Sequence, residues 1–195
     1  MNARLVLGFG VVLAGCPNGG EGWFGLDCEE SSCEISDGWE PSAHVGEAIE
    51  VAREETATTE TVYFAAIFGH AHGTLSPSEL AAEDLLWSFN LWVGDVFGGT
   101  HVEVEVNENQ VLVEEDVDLL DTFILTESEY DEAVEVSFGE VFETFAAESD
   151  AFDVDLVQLL DHTYYAEFGN PTYVLFGGVE SMIFDAGTGE RRETP

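Results

Sequence analysis

The sequence predicts an α+β fold, in which a small antiparallel sheet carries two helices on one face and a polar tether precedes the domain. Two Ser-x-x-Glu capping boxes, at Ser76 and Ser137, predict the two helix starts. The stretch His101 to Val106 (HVEVEV) alternates between polar and apolar residues, which is the period of a half-buried strand. Helical patterns that interleave with hairpin patterns favour helices packed on an antiparallel sheet.

The first elements of the domain are a buried strand and a helix. Ala48 to Arg53 could start the fold, and the apolar run Val62 to Phe68 indicates a buried strand. Ser76 then caps a helix that has Pro77 at its first position and Glu79 three residues after the cap. We expect this helix to bury one apolar stripe, which comprises Ala81, Leu85, Phe89 and Trp92.

The second half contains a hairpin, a short helix and the last strands. Asn107 to Gln110 predicts the turn between the alternating strand and Val111 to Val113, and Thr122 to Leu125 could add a further strand. Ser137 opens a short helix whose apolar stripe is Val141, Phe142 and Phe145. The remaining strands are expected at 154–165, 172–176 and 181–184, before a polar ending at 185–190.

The first residues have the organisation of a secretory signal peptide. Arg4 gives a cationic start, and the apolar run Leu5 to Leu13 is too short to span a bilayer permanently. Leu13-Ala14-Gly15-Cys16 resembles the lipobox of bacterial lipoproteins, which implies cleavage before Cys16 and acylation of that cysteine with chains such as palmitate. An ordinary signal peptide is the alternative. By the same resemblance, Pro17 in place of an inner-membrane Asp implies an outer-membrane location.

These features divide the chain into three parts. Residues 1–15 are the expected signal peptide, and residues 16–45 are an acidic, Gly- and Ser-rich tether. Residues 46–190 are the expected α+β domain, and the apolar content of the chain, with its 14 Phe, is that of a folded protein.

The charge balance is extreme. The chain has 41 acidic residues and no lysine, and only Arg53, Arg191 and Arg192 follow the signal peptide as cations. Because about 1 M salt shortens the Debye length to roughly 3 Å, we favour a halophilic protein whose self-repulsion is screened by brine. Calcium binding is the alternative, although no loop has the Asp-x-Asp-x-Asp-Gly spacing of a calcium hand. The negative field excludes nucleic acid as a partner.

Cys28 and Cys33 remain once Cys16 is acylated. In an oxidising compartment such a close pair predicts a local disulfide within the tether. Two cysteines alone make a poor zinc site, because structural zinc normally has four ligands.

The stretch Thr163 to Thr172 (TYYAEFGNPT) resembles the hallmark of a family of uncharacterised bacterial lipoproteins, in which a strand ending in Tyr-Asp-Pro leads through a Gly-x-Pro turn into another strand. In that family a helix with Trp, a hairpin and a short helix with Phe precede the hallmark. By this resemblance, a helix at Trp87, the hairpin and the Phe-bearing helix occupy the same places in this chain, in the same order. Two features depart from the family: Tyr165 and Ala166 replace the Asp and Pro, and residues 97–100 replace a Cys pair. The resemblance implies the fold and the envelope location, and no chemistry.

Candidate chemistry is sparse, so the sequence predicts neither an enzyme nor a cofactor. His70 and His72 stand two apart, so on a strand they would share a side, and His101 could add a third metal ligand. Solvated histidines at a strand end are the favoured interpretation, and His44 and His162 are expected on the surface. Acid pairs such as Glu114-Glu115 are expected by chance in so acidic a chain.

Three functions follow as hypotheses. The first is a noncatalytic envelope lipoprotein, held in the bilayer by its acyl chains, that binds an envelope protein or a cell-wall component. A free sheet edge near Gly177-Gly178 and the last strand could pair with another chain. The second is a metal-dependent enzyme using His70, His72 and His101, and the third is an inhibitor or an envelope assembly factor.

Overall fold

A computed structural model of the chain describes residues 10–12, 23–29, 32–94, 98–117, 124–160 and 169–193. It confirms the α+β class but not the small sheet, because nine strands form one antiparallel sheet in the order β1-β7-β6-β5-β4-β8-β9-β10-β11. A separate hairpin pairs β2 with β3. The strands are β1 (Gly10–Val12), β2 (Asp27–Glu29), β3 (Ser32–Glu34), β4 (Val62–Leu75), β5 (Leu85–Val93), β6 (Gly99–Glu105), β7 (Gln110–Val117), β8 (Val154–Leu159), β9 (Thr172–Gly177), β10 (Glu180–Asp185) and β11 (Arg191–Arg192).

Three α-helices cover one face of this sheet, where two were predicted. They are α1 (Val45–Glu55), α2 (Glu127–Ala133) and α3 (Phe138–Ala147). Ring contacts attach the helices to the sheet, since Tyr130 of α2 packs on Phe64 at 4.8 Å and Phe138 of α3 packs on Trp87 at 4.8 Å. No helix in the described ranges is long and apolar enough to cross a membrane.

The predicted helix after Ser76 is wrong, because Leu85–Val93 is the strand β5 near the middle of the sheet. Half of the capping box forms: the Ser76 amide donates to the Glu79 carboxylate at 3.3 Å, while the Glu79 amide donates to the Ser76 carbonyl at 2.9 Å and not to its hydroxyl. They close a single turn only. Beyond it, Leu85, Trp87, Phe89, Leu91 and Val93 form a continuous apolar face of β5, and pairing with β4 and β6 satisfies the backbone on both edges.

The second capping box is confirmed. Ser137 accepts from the Glu140 amide while Glu140 accepts from the Ser137 amide, and Val141, Phe142 and Phe145 are buried as predicted. The same box at Thr126 and Glu129 begins α2, which the sequence analysis missed.

The other strand predictions are largely confirmed. The hairpin of β6 and β7 turns at 106–109, and β9 and β10 match their predicted segments. β8 begins as predicted but ends at Leu159, because Leu160 takes a positive φ of 68°, and residues 161–165 lie outside the described residues. Leu125 forms an isolated bridge with Phe64, while Thr122 and Phe123 lie outside the described residues. The polar ending adds the short strand β11, which was not predicted.

Residues 23–29 and 32–45 belong to the folded domain, although a tether was expected there. Phe24, Leu26 and Trp39 are all more than nine-tenths buried and join the main core. Their burial removes apolar surface from water, so the segment packs instead of remaining solvated. We call residues 37–44, which cross the ends of β5 and α3, the strap.

Candidate functional site

A cleft of about 660 Å³ opens between the strap, the turn at 77–83 and α3. Its apolar lining includes Trp39, Leu80 and Phe142, which are buried in the core. Its acidic lining includes Asp37, Glu83 and Glu143, which are exposed. The cleft therefore combines an apolar floor with a negatively charged rim.

Aromatic packing fixes Trp39 at the floor. The ring of His44 stacks on it at 5.1 Å with an interplanar angle of 13°, and Phe24 and Trp87 lie within 6.4 Å of it. The Trp39 Nε1 atom is buried and has no hydrogen-bond partner among the residues that the structure describes. His44, expected on the surface, is instead half-buried in this cluster and bonds Glu47 at 3.3 Å.

Glu40 joins the strap to α3. One carboxylate oxygen accepts from the Ser42 amide at 3.1 Å, the Ser42 hydroxyl at 2.6 Å and the Phe138 amide at 3.1 Å. The other oxygen accepts from the Gly139 amide at 3.2 Å. Glu40 thus caps the 3-10 turn Pro41–His44 and the first turn of α3, where an anion also interacts favourably with the helix dipole. The Glu40 carboxylate therefore has a structural role, because its hydrogen bonds are made within the domain.

Two buried tyrosines support the same segment from below. The Tyr130 hydroxyl donates to the Ser42 carbonyl at 2.9 Å, and the Tyr173 hydroxyl donates to the Val136 carbonyl. Burial raises the pKa of both phenols well above the ordinary value, and the charge of Glu40 raises each pKa further. Both side chains therefore act as neutral donors that hold the strap and residue 136 in place.

The three rim carboxylates are unpaired within the described ranges. The ion pairs there use Arg53 with Glu50, Arg191 with Glu148 and Asp150, Arg192 with Asp185, and His44 with Glu47. None of these pairs involves Asp37, Glu83 or Glu143. The rim is available for a positively charged ligand.

The three histidines considered for a metal do not converge. His70 stands opposite Leu86 and His101 stands opposite Trp92, so six residues of β5 separate their positions. At about 3.3 Å per residue, that is roughly 20 Å along the strand. His101 Nε2 is 2.8 Å from the amide oxygen of Asn90, and His72 lies further out on β4. No group of three metal-binding side chains occurs among the described residues.

The predicted disulfide between Cys28 and Cys33 is present and links β2 to β3. The hairpin is attached to the sheet, because the Cys33 amide donates to the Asn107 carbonyl at 2.8 Å and Asn107 in turn accepts from the Trp87 amide at 2.8 Å. Cys16, Pro17, His162 and residues 163–168 of the family hallmark lie outside the described residues.

The cleft was not predicted from the sequence, because Asp37, Trp39 and Glu40 were expected to lie in a tether. A local signal was available: Asp37-Gly38 is a turn sequence, and Pro41 stands at the first position of a helical turn. Neither feature indicates that Glu40 reaches α3, nearly a hundred residues further along the chain.

No family model matches the chain, and no curated protein matches its sequence. Among solved structures, a candidate lipoprotein from Clostridium difficile 630 aligns with 84% of this chain and 97% of its own, at 11% sequence identity and a TM-score of 0.46. A likeness of this degree transfers no function, so the residues themselves carry the conclusions below.

Proposed function

We propose that this chain is a lipid-anchored envelope protein whose domain binds a basic partner in the cleft. One observation carries the binding function: three unpaired carboxylates, those of Asp37, Glu83 and Glu143, surround an apolar floor built on Trp39. A ligand that fits both features has an apolar side chain for the floor and guanidinium or ammonium groups for the rim.

The anchoring rests on the sequence. A short apolar run followed by Leu13-Ala14-Gly15-Cys16 supports export, cleavage before Cys16 and acylation of its thiol. Several acyl chains, at about 0.8 kcal/mol per buried methylene, make a durable anchor. By resemblance, Pro17 favours the outer membrane.

The partner is a molecule other than a second copy of this chain. The chain has no lysine and only four arginines against 41 acidic residues, so it cannot supply a basic segment to its own cleft. A basic segment of an envelope protein, or a cell-wall peptide with free amino groups, has the required chemistry. Inhibition or assembly of such a partner would use the same cleft.

The anchor is tested on the chain recovered from cell envelopes. Mass spectrometry should find a mature amino terminus at Cys16 that carries acyl chains, and Cys16→Ser should leave the precursor uncut. An unmodified amino terminus at another position contradicts the anchor.

The cleft is tested with a labelled peptide that carries a leucine between two pairs of arginines. We expect it to bind at least tenfold more tightly than the same peptide with neutral citrulline in place of arginine, at about 0.15 M salt, by fluorescence anisotropy. Glu83→Gln with Glu143→Gln should weaken binding about tenfold, since each rim charge contributes roughly 0.5–1 kcal/mol.

The control is Glu132→Gln with Glu180→Gln, which removes the same charge from exposed positions outside the cleft. This variant should bind the arginine peptide like the parent chain. If both double variants lose the same affinity, the attraction comes from net charge alone and the cleft is not the site.

A further inference from the structure

The outer edge of β7 is covered by only a short strand. β1 pairs antiparallel with β7 through Gly10 opposite Val113, residue 11 opposite Leu112 and residue 12 opposite Val111. β7 runs from Gln110 to Val117, and β6 pairs with its other side along most of that length. The covering strand therefore reaches three positions of an eight-residue strand.

Cleavage before Cys16 removes the covering strand, because β1 lies wholly within residues 1–15. In the processed chain, within the part that the structure describes, β7 becomes the outermost strand of the sheet. Its outward amides and carbonyls then lose their strand partner, and an unpaired edge of this kind is a template for another strand.

The two edges of the sheet differ in how they are protected. At the far edge, β11 covers Ile183 and Phe184 of β10 with two arginines, and a short charged strand is a common way to prevent further pairing. At the β7 edge, the uncovered positions Val111, Leu112 and Val113 are apolar and carry no such protection.

We propose that the β7 edge of the processed chain binds an extended, apolar segment of small and β-branched residues, preceded by a basic residue, as an antiparallel strand in the register that residues 10–12 take in the full chain. This inference rests on the proposed cleavage before Cys16. Main-chain hydrogen bonds supply the affinity, and the apolar positions at 111–113 select the side chains.

The residues next to the apolar positions refine the partner. Glu114 and Glu115 are exposed and follow Val113 directly, so a cation one position before the residue opposite Val113 would lie across from Glu114. A second copy of the chain does not meet this requirement, because β7 contains no cation and two such acidic chains repel each other. The partner is a different molecule whose strand is apolar with a basic residue at its start.

The probe is a labelled peptide of residues 7–13 with serines added at both ends for solubility. It is titrated by anisotropy into the processed chain, whose mass is measured first to show that residues 1–15 are gone. A peptide of the same composition in scrambled order is the control, because it measures binding that does not depend on sequence, including partition into any detergent carried over from purification. We expect at least tenfold tighter binding of the native-order peptide, and at least tenfold weaker binding of that peptide to the uncut full chain, whose edge is occupied.

Backbone methylation distinguishes strand pairing from hydrophobic adhesion. Only alternate residues of an antiparallel strand donate to a given neighbour, so N-methylation at peptide positions 10 and 12 and N-methylation at position 11 should have unequal effects. One of the two should lower affinity at least tenfold and the other less than threefold. Replacing the peptide's Phe9 by Lys should strengthen binding severalfold, and Glu114→Gln should remove that gain.

Equal effects of the two methylation patterns, or equal binding of the scrambled peptide, overturn the inference while leaving the anchor intact. An uncut chain in the envelope overturns the cleavage and this inference together. Binding at the cleft is unaffected by either result, because the cleft is tested with a different peptide.

Discussion

Glu40 gives the sharpest test of how the strap is held. Its carboxylate accepts four hydrogen bonds, from the Ser42 amide and hydroxyl and from the first two amides of α3. We expect Glu40→Ala to lower the free energy of unfolding, because it removes the acceptor of the first two α3 amides and frees the strap at the same time.

The size of the effect follows from the bonds lost. Loss of a helix cap costs roughly 0.5–2 kcal/mol, and each hydrogen bond to a charged group contributes about 1.5–3 kcal/mol where it is buried. Glu40 is half-buried, and water can satisfy part of what it leaves behind. We therefore expect a loss of about 2–3 kcal/mol for Glu40→Ala and about 1 kcal/mol for Glu40→Gln, which keeps an acceptor oxygen.

Urea unfolding at a fixed 1 M NaCl measures this difference, because that salt suppresses the long-range repulsion of the acidic surface. The midpoint should fall while the slope with urea stays unchanged. Glu143→Gln is the matched control on the same helix, since Glu143 is exposed and caps nothing, and it should change stability by less than about 0.5 kcal/mol. A Glu40→Ala chain as stable as that control would refute the bridging role of Glu40.

Three further predictions concern pH, salt and the disulfide. Hydrogen bonds from the Ser137 amide and hydroxyl lower the pKa of Glu140 below its ordinary value of 4.5. The ionised Glu140 therefore stabilises the fold above that pH, and this stabilisation is lost as the pH falls through the lowered pKa. The difference in melting temperature between the parent chain and Glu140→Gln should shrink between pH 6 and pH 2. The melting temperature should rise strongly with NaCl, and if millimolar calcium raises it further at a fixed high salt concentration, screening alone is not the explanation. Cys28→Ser with Cys33→Ser opens a short loop and should lower the free energy of unfolding by about 2 kcal/mol, as measured by urea unfolding.

Elements that depend on local bonds were predictable, and those that depend on distant contacts were not. Ser137 and Glu140 satisfy each other within one turn, so the capping box predicted α3 correctly. Ser76 and Glu79 form only one of these two bonds, and the residues that follow pair with β4 and β6 in the sheet. At these positions tertiary pairing outweighs the local helix signal.

The cleft illustrates the same limit. The acidic residues of its rim are visible in the sequence, but so are many other acids, and nothing local marks Glu83 or Glu143. They line the cleft only because the strap lies beside them, bonded to α3 through Glu40 and with Trp39 stacked on the ring of His44. The sheet edge at β7 was missed for a different reason, since the sequence analysis placed the free edge at the last strand, which β11 covers.

In the lipid-anchored form that we propose, the packing of the strap and of the disulfide hairpin also limits how far the domain can stand from a bilayer. Trp23 belongs to the described fold and is seven peptide steps from Cys16, and a fully extended chain covers at most about 3.5 Å per step. The segment between Cys16 and Trp23 therefore spans about 25 Å at most, whereas a tether from Cys16 to residue 45 could span roughly 100 Å. In the proposed anchored form, a domain held so close to the bilayer would meet only partners that reach the lipid headgroups.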